Sequence, residues 1–273
     1  MHPLVAAPAT RSVIARRASG PASARTSQWS CLPGPDGSVV VEHALSMATV
    51  SDDRIVTALA RFASAGALAG QTEFERAFTA VVASSGPRED ACWRAFYRNS
   101  VAELRGGQAA FSPVHRRARS LLVGRSILEV GCCFGLLALQ CAQDGYAVTA
   151  CDICPGALHL LDDAANTLGL PIITRRGDAR ALPLATDSVD TVTLIHLLEH
   201  LDGPDVAVAL REALRVARRR VVVAVPFEER PSAHFGHRQQ LTDDDLRAWS
   251  TDLTGCTATI FTDHGGWLVL DHR

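Results

Sequence analysis

The sequence predicts an α/β fold: a doubly wound, mostly parallel seven-stranded sheet whose last strand runs antiparallel, preceded by a helical region. Three observations carry this prediction. From Ser112-Pro113 onward, short apolar runs of strand length alternate with helical periodicities. The first of those runs leads into Leu128-Glu129-Val130-Gly131-Cys132-Cys133-Phe134-Gly135, a glycine-bearing turn that opens a helix. Asp152 then ends the following strand, 21 positions after Gly131 (152 − 131), which is the span of one βαβ unit.

Taken in order, strands are expected near Ser126 to Val130, Ala147 to Cys151, Pro171 to Thr174, Thr191 to Ile195 and Arg220 to Val225, with helices between them. Thr242-Asp243-Asp244-Asp245 has the polar cap and acidic first turn of a helix start. Two strand-like runs, Thr257 to Phe261 and Trp267 to Leu270, close the chain as a hairpin across Gly265-Gly266. Five βα steps finished by a hairpin give the doubly wound sheet with its antiparallel final strand.

Ahead of this, residues 38–112 read as helical. Ile55, Leu59, Phe62 and Ala63 share one face, as do Phe74, Phe78, Val81 and Val82. Pro87 followed by Arg88, Glu89 and Asp90 opens a third helix carrying Cys92, Trp93, Phe96 and Tyr97, an aromatic cluster of the kind that builds a core. Residues 1–37 are rich in Ala, Arg, Ser and Pro and hold no acid before Asp36, so a disordered tail is expected there.

Composition narrows the function classes. Of 273 residues 47% are hydrophobic, ample for a buried core. All 27 basic residues are arginine, and against 29 acids they leave a formal charge of −2, so no basic field suggests nucleic acid. No apolar run in the first 37 residues is long enough for a membrane span. Five of the eight cysteines (Cys132, Cys133, Cys141, Cys151, Cys154) fall in the βαβ unit and read as reduced thiols of a cytoplasmic protein. Cys151 and Cys154 are the lone C-x-x-C pair, too little for a zinc site, and no metal is expected.

The turn after the first strand suits a nucleotide: backbone N-H groups meet the ligand, and an acid at the next strand's end bonds vicinal ribose hydroxyls. Glu129-Val130-Gly131-Cys132-Cys133-Phe134-Gly135 resembles the first motif of class I S-adenosylmethionine-dependent methyltransferases, acid-x-Gly-x-Gly-x-Gly, with Cys133 in place of the middle glycine. The resemblance implies that S-adenosyl-L-methionine binds through Glu129, Gly131, Cys133, Gly135, Asp152 and its neighbour Ile153, Asp178 and Ala179 beside the adenine, and His196. Residues 113–273 would be the cofactor-binding domain, and residues 38–112 would shape the acceptor side. A nicotinamide enzyme is disfavoured, since Gly131 and Gly135 lack the Gly-x-Gly-x-x-Gly spacing.

His196-Leu197-Leu198-Glu199-His200 also has the His-x-x-Glu-His pattern of certain zinc peptidases, whose chemistry needs both histidines on one helical face. Here the motif follows a strand directly, as in the methyltransferase superfamily, so His196 belongs at the strand's carboxyl end and His200 reads as structural. Oxygen methylation mainly requires alignment and removal of a hydroxyl proton. His196 and His237 are the candidate catalytic residues, with His234 beside them on the polar segment Pro226 to Gln240.

As a whole the chain resembles the mycofactocin oligosaccharide methyltransferases, in Val41-Glu42-His43, Ser51-Asp52-Asp53, Ala95-Phe96-Tyr97-Arg98-Asn99-Ser100, the Cys133-bearing motif, Val222-Val223-Ala224-Val225-Pro226, Gly236-His237 and Gly265-Gly266-Trp267. That resemblance implies O-methylation of a glucose hydroxyl on the glycosylated acceptor. A methyltransferase for another small molecule or macromolecule, and a non-catalytic binding module of the same fold, remain the alternatives.

Overall fold

The computed structural model describes residues 11–18 and 29–273. The chain forms two units, one running to Asn99 and including Ala233–Gly236, the other comprising Ser100–Ser232 and His237–Arg273. The division falls inside a helix, thirteen residues before the boundary expected at residue 112 (112 − 99).

The first unit holds a three-stranded sheet, β1 (Val13–Arg17), β2 (Ser30–Pro33) and β3 (Val39–His43), in the order β1-β3-β2. β1 runs parallel and β2 antiparallel to β3. The expected disordered tail is therefore wrong at β1 and β2, and the expected purely helical region is wrong at β3. The rest of the tail, 1–10 and 19–28, lies outside the described residues. The sheet forms because β3 buries Val39, Val41 and His43 on one face, and each flanking strand completes its hydrogen bonding. Arg11 ties the start of β1 to the helical layer, donating from Nη2 and Nε to the Glu73 carboxylate at 2.6 and 2.9 Å.

Three helices follow: α1 (Asp52–Ser64), α2 (Gly70–Ala83) and α3 (Glu89–Gly106). Ile55 and Leu59 of α1 and Phe74, Phe78, Val81 and Val82 of α2 are buried, as their periodicity predicts. The aromatic cluster is core: Phe96 meets Phe78, Trp93 and Tyr97 edge to face at 5.3–5.7 Å.

The second unit carries α4 (Ser112–Ser120) and then the main sheet. Its elements are β4 (Ser126–Val130), α5 (Leu136–Gln143), β5 (Ala147–Asp152), α6 (Pro155–Leu168), β6 (Ile172–Arg176), β7 (Val189–Ile195), α7 (Gly203–Val216), β8 (Ala217–Val225), α8 (Asp243–Thr251), β9 (Cys256–Thr262) and β10 (Gly266–His272). The strand order is β6-β5-β4-β7-β8-β10-β9. Every pair from β6 to β8 is parallel, while β10 is antiparallel to both β8 and β9, as expected.

Burial explains the order. All seven residues of β7 are buried, as a strand covered on both faces must be, whereas β6 and β9 alternate or face solvent and occupy the edges. The Thr242 cap is realised as a reciprocal capping box with Asp245. From β4 the chain winds outward through β5 and β6, then returns to β7 on the other side. The carboxyl ends of β4 and β7, paired side by side with Val130 opposite Leu194, therefore flank the crevice where an open sheet binds its ligand.

Candidate active site

The loop leaving β4 is built from left-handed backbone. Gly131, Cys133 and Gly135 have φ of 71°, 49° and 67°. The N-H groups of Gly131 and Cys132 donate to the Cys151 carbonyl at 2.8 and 3.1 Å, which lashes the turn to the end of β5. A Cβ on Gly131 would stand 2.7 Å from Leu197, and one on Gly135 2.4 Å from Leu161, so both positions need glycine for space as well as conformation. Cys133 sits at the middle-glycine position in the same left-handed region, where a Cβ costs about 1 kcal/mol. Cys133→Gly is expected to raise the thermal midpoint by about 2 °C; a fall of that size would show that the thiol contributes more than its backbone strain costs.

Asp152 closes the loop from the other side. Its Oδ2 accepts from the Cys133 N-H and its Oδ1 from the Cys154 N-H, both at 2.8 Å. Each oxygen keeps lone-pair capacity for a further donor. Ile153, next to it, is 62% exposed.

Glu129 lies inside. It is 6% exposed, and burial pushes its carboxyl up to about 8, with the nearby Asp152 charge adding to the effect and a hydrogen bond from the Ala138 backbone opposing it. Its Oε2 has no hydrogen-bond partner. An acid kept largely protonated in this way is set to ionise when a cation arrives.

Asp178 is engaged differently from the expectation of an adenine contact alone. Arg180 takes its carboxylate in a bidentate pair, Nη2 to Oδ2 at 2.6 Å and Nε to Oδ1 at 3.0 Å, and also reaches Asp205 at 2.8 Å. The Arg180 hydrogen bonds hold the Asp178 carboxyl below its ordinary value. Ala179 is buried beside it.

At the end of β7, His196 also has positive φ, 53°, and turns into a short 3-10 segment over Leu198–His200. The two motif histidines thus share no helix, which removes the zinc-peptidase geometry. His196 packs edge to face on Phe111 at 4.6 Å. Burial lowers its imidazole to about 4, with the His237 charge in the same direction, so it is neutral near pH 7. Its Nε2 is buried without a hydrogen-bond partner.

Two residues that the sequence reading left out connect the histidines. Glu199 is fully buried, and burial raises its carboxyl to about 8. Its Oε1 lies 3.4 Å from His196 Nδ1 and 3.8 Å from His237 Nε2, with a hydrogen bond to neither. Glu228 accepts from His237 Nδ1 at 2.7 Å and from the Ser232 hydroxyl at 2.6 Å. Burial would raise the Glu228 carboxyl, but the His237 and Ser232 hydrogen bonds outweigh it and hold the group below its ordinary value. His200 stands against the His237 ring at 4.9 Å. His196 and His237 are therefore brought together, whereas His234 packs with Phe74 and Phe235 in the first unit at 5.4 and 4.2 Å.

Residues 128–225, which span the loop, Asp152, Asp178 and the His196 turn, match the family described as methyltransferase domain. By that match the segment resembles a methyltransferase domain. The chain is 35% identical over 98 residues to the ubiquinone biosynthesis O-methyltransferase of Azorhizobium caulinodans, covering 35% of this chain and 38% of that one. It is 30% identical over 115 residues to the mitochondrial enzyme of the same name from Schizosaccharomyces pombe, covering 40% and 41%. The chain thus spans about two fifths of the length of these curated relatives. Among solved structures, the PH0226 protein of Pyrococcus horikoshii superposes with a TM-score of 0.52 at 14% identity, covering 63% of this chain and 92% of that one, which establishes the shared fold.

The methyltransferase domain fits S-adenosyl-L-methionine as its cofactor. The unpartnered Glu129 oxygen suits the ammonium of the methionyl part, the glycine positions admit a close approach, and the two-oxygen Asp152 carboxylate suits the ribose diol. The eight cysteines are free thiols; Cys133 and Cys154 are exposed rather than packed. Among the described residues no helix is long and apolar enough to cross a membrane.

Proposed function

We propose that this protein is an S-adenosylmethionine-dependent O-methyltransferase whose acceptor is a glucose hydroxyl of the mycofactocin oligosaccharide. The observation that carries the reading is the methyltransferase domain over residues 128–225, with the Glu129 and Asp152 acids at its cofactor loop. The O-methyltransferase names of its relatives support oxygen as the acceptor atom. The sugar acceptor rests on the motifs from Val41 to Trp267 that resemble the mycofactocin family.

When bound, the cofactor supplies a methyl carbon already activated by its positive sulfur. The chain's own residues then align and desolvate the reactants. Glu129 would hold the methionyl ammonium and Asp152 the ribose, with Ile153, Asp178 and Ala179 as the residues that would contact the adenine. His196, neutral and with Nε2 unpartnered, accepts the hydroxyl proton at the end of β7, and His237 stands beside it across Glu199.

Purified protein with S-adenosylmethionine and a glucosylated acceptor is expected to release S-adenosylhomocysteine. Cells lacking the gene are expected to accumulate glycosylated mycofactocin lighter by one methyl replacement. An unaltered mass profile with intact S-adenosylhomocysteine release would reject the sugar acceptor and keep the methyltransferase; no release with any hydroxyl acceptor would favour a non-catalytic binding module.

A further inference from the structure

We propose that Glu199, His200 and His237 bind a divalent transition-metal ion with zinc-like preferences. One ligand atom from each lies within 4.8 Å of the others. His237 Nε2 is 3.8 Å from Glu199 Oε1. Neighbouring ligands on a tetrahedral zinc stand about 3.4 Å apart, given bonds of about 2.0 to 2.1 Å, so modest side-chain rotations close the set.

Two further observations point to a cation. Glu199 is completely buried, and neither of its oxygens has a hydrogen-bond partner, a costly state for a carboxyl that a positive ion would relieve. Independently, His237 Nδ1 is held by Glu228 at 2.7 Å, and Glu228 is itself held by Ser232. An outer carboxylate on one ring nitrogen is how a ligating imidazole is oriented, and it directs the Nε2 lone pair toward Glu199.

Two imidazoles and one carboxylate favour zinc and similar ions over magnesium or calcium, which prefer shells of oxygen. Three protein ligands leave a coordination position for water or an acceptor oxygen. The zinc-peptidase pattern in the sequence pairs His196 with His200. The set found instead pairs Glu199 and His200 with a histidine 37 positions further on (237 − 200). In the loaded protein His237 is a ligand, and acceptance of the hydroxyl proton rests with His196.

The site goes beyond the methyltransferase reading, and its test contains no methyl donor, so the two fail separately. Tag-free, chelator-stripped full-length protein is titrated with cobalt(II), followed by its visible absorption and by displacement with zinc. One equivalent per chain is expected. His237→Ala and Glu199→Gln should each weaken binding at least 100-fold, Glu228→Gln by 10- to 100-fold, and the exposed His159→Ala not at all. Metal-free Glu199→Gln should melt no lower than the parent, since it lacks the buried acid, while losing the upward shift that zinc gives the parent. The proposal is overturned if the parent takes up no stoichiometric metal, if His237→Ala and Glu199→Gln bind as the parent does, or if a sulfur-to-cobalt band shows cysteine ligation.

Discussion

Replacing Asp152 by alanine is expected to weaken S-adenosylmethionine binding at least tenfold in calorimetry, about 1.4 kcal/mol, without unfolding the protein. Asp152 has two tasks. Its oxygens accept from the Cys133 and Cys154 N-H groups, fixing the loops that follow β4 and β5, and each keeps acceptor capacity that would serve a diol. Alanine would remove the hydroxyl contacts together with the acceptor of the Cys133 N-H in a left-handed turn. Asparagine keeps one acceptor oxygen and should fall between parent and alanine. Unchanged affinity in the alanine variant would remove Asp152 from the site.

Asp190→Ala is expected to destabilise the fold by about 3 kcal/mol in urea titration, the scale of leaving two backbone donors unsatisfied. Asp190 is the second residue of β7, and its Oδ2 accepts from the N-H groups of Arg125 and Ser126 at 2.8 and 3.1 Å and from the Ser126 hydroxyl at 3.0 Å. Arg218 pairs with the other oxygen at 2.8 Å. These bonds, those from Arg125 and Ser126 foremost, hold the carboxyl far below its ordinary value in the folded protein. A depressed folded value means the stabilisation is complete above the unfolded carboxyl value of about 3.9 and disappears as pH falls through the folded one. The gap between parent and variant should therefore be flat from pH 5 to 8 and shrink below about pH 4. A gap independent of pH would mean that Asp190 acts by packing against Gly124 rather than as an anion.

Much of the main sheet was legible because its inner strands declare themselves. The runs in β4, β7 and β8 are apolar without alternation, as strands buried on both faces are, and the Asp243-Asp244-Asp245 cluster marks α8. β1 was not legible. Val-Ile-Ala-Arg-Arg in an arginine-rich stretch has no pattern of its own, and the strand exists through its pairing with β3 and the Arg11–Glu73 contact, 62 residues apart. Within the candidate site, the turn at Gly131 and the strand-end position of Asp152 were readable from spacing. Glu199 was not, since a carboxyl among leucines ordinarily faces water, and only the fold shows it buried. Glu228 could not be found from sequence either, because its tie to His237 crosses nine residues of irregular chain.

The pairing of Val130 with Leu194 fixes the donor loop and the His196 turn to one rigid strand pair, whereas Glu228 and His237 lie on the irregular connection after β8. Heritable variation is therefore partitioned. Under the proposed function, substitutions around Glu228 would alter the acceptor side while the β4–β7 ladder beneath the cofactor loop stays in register.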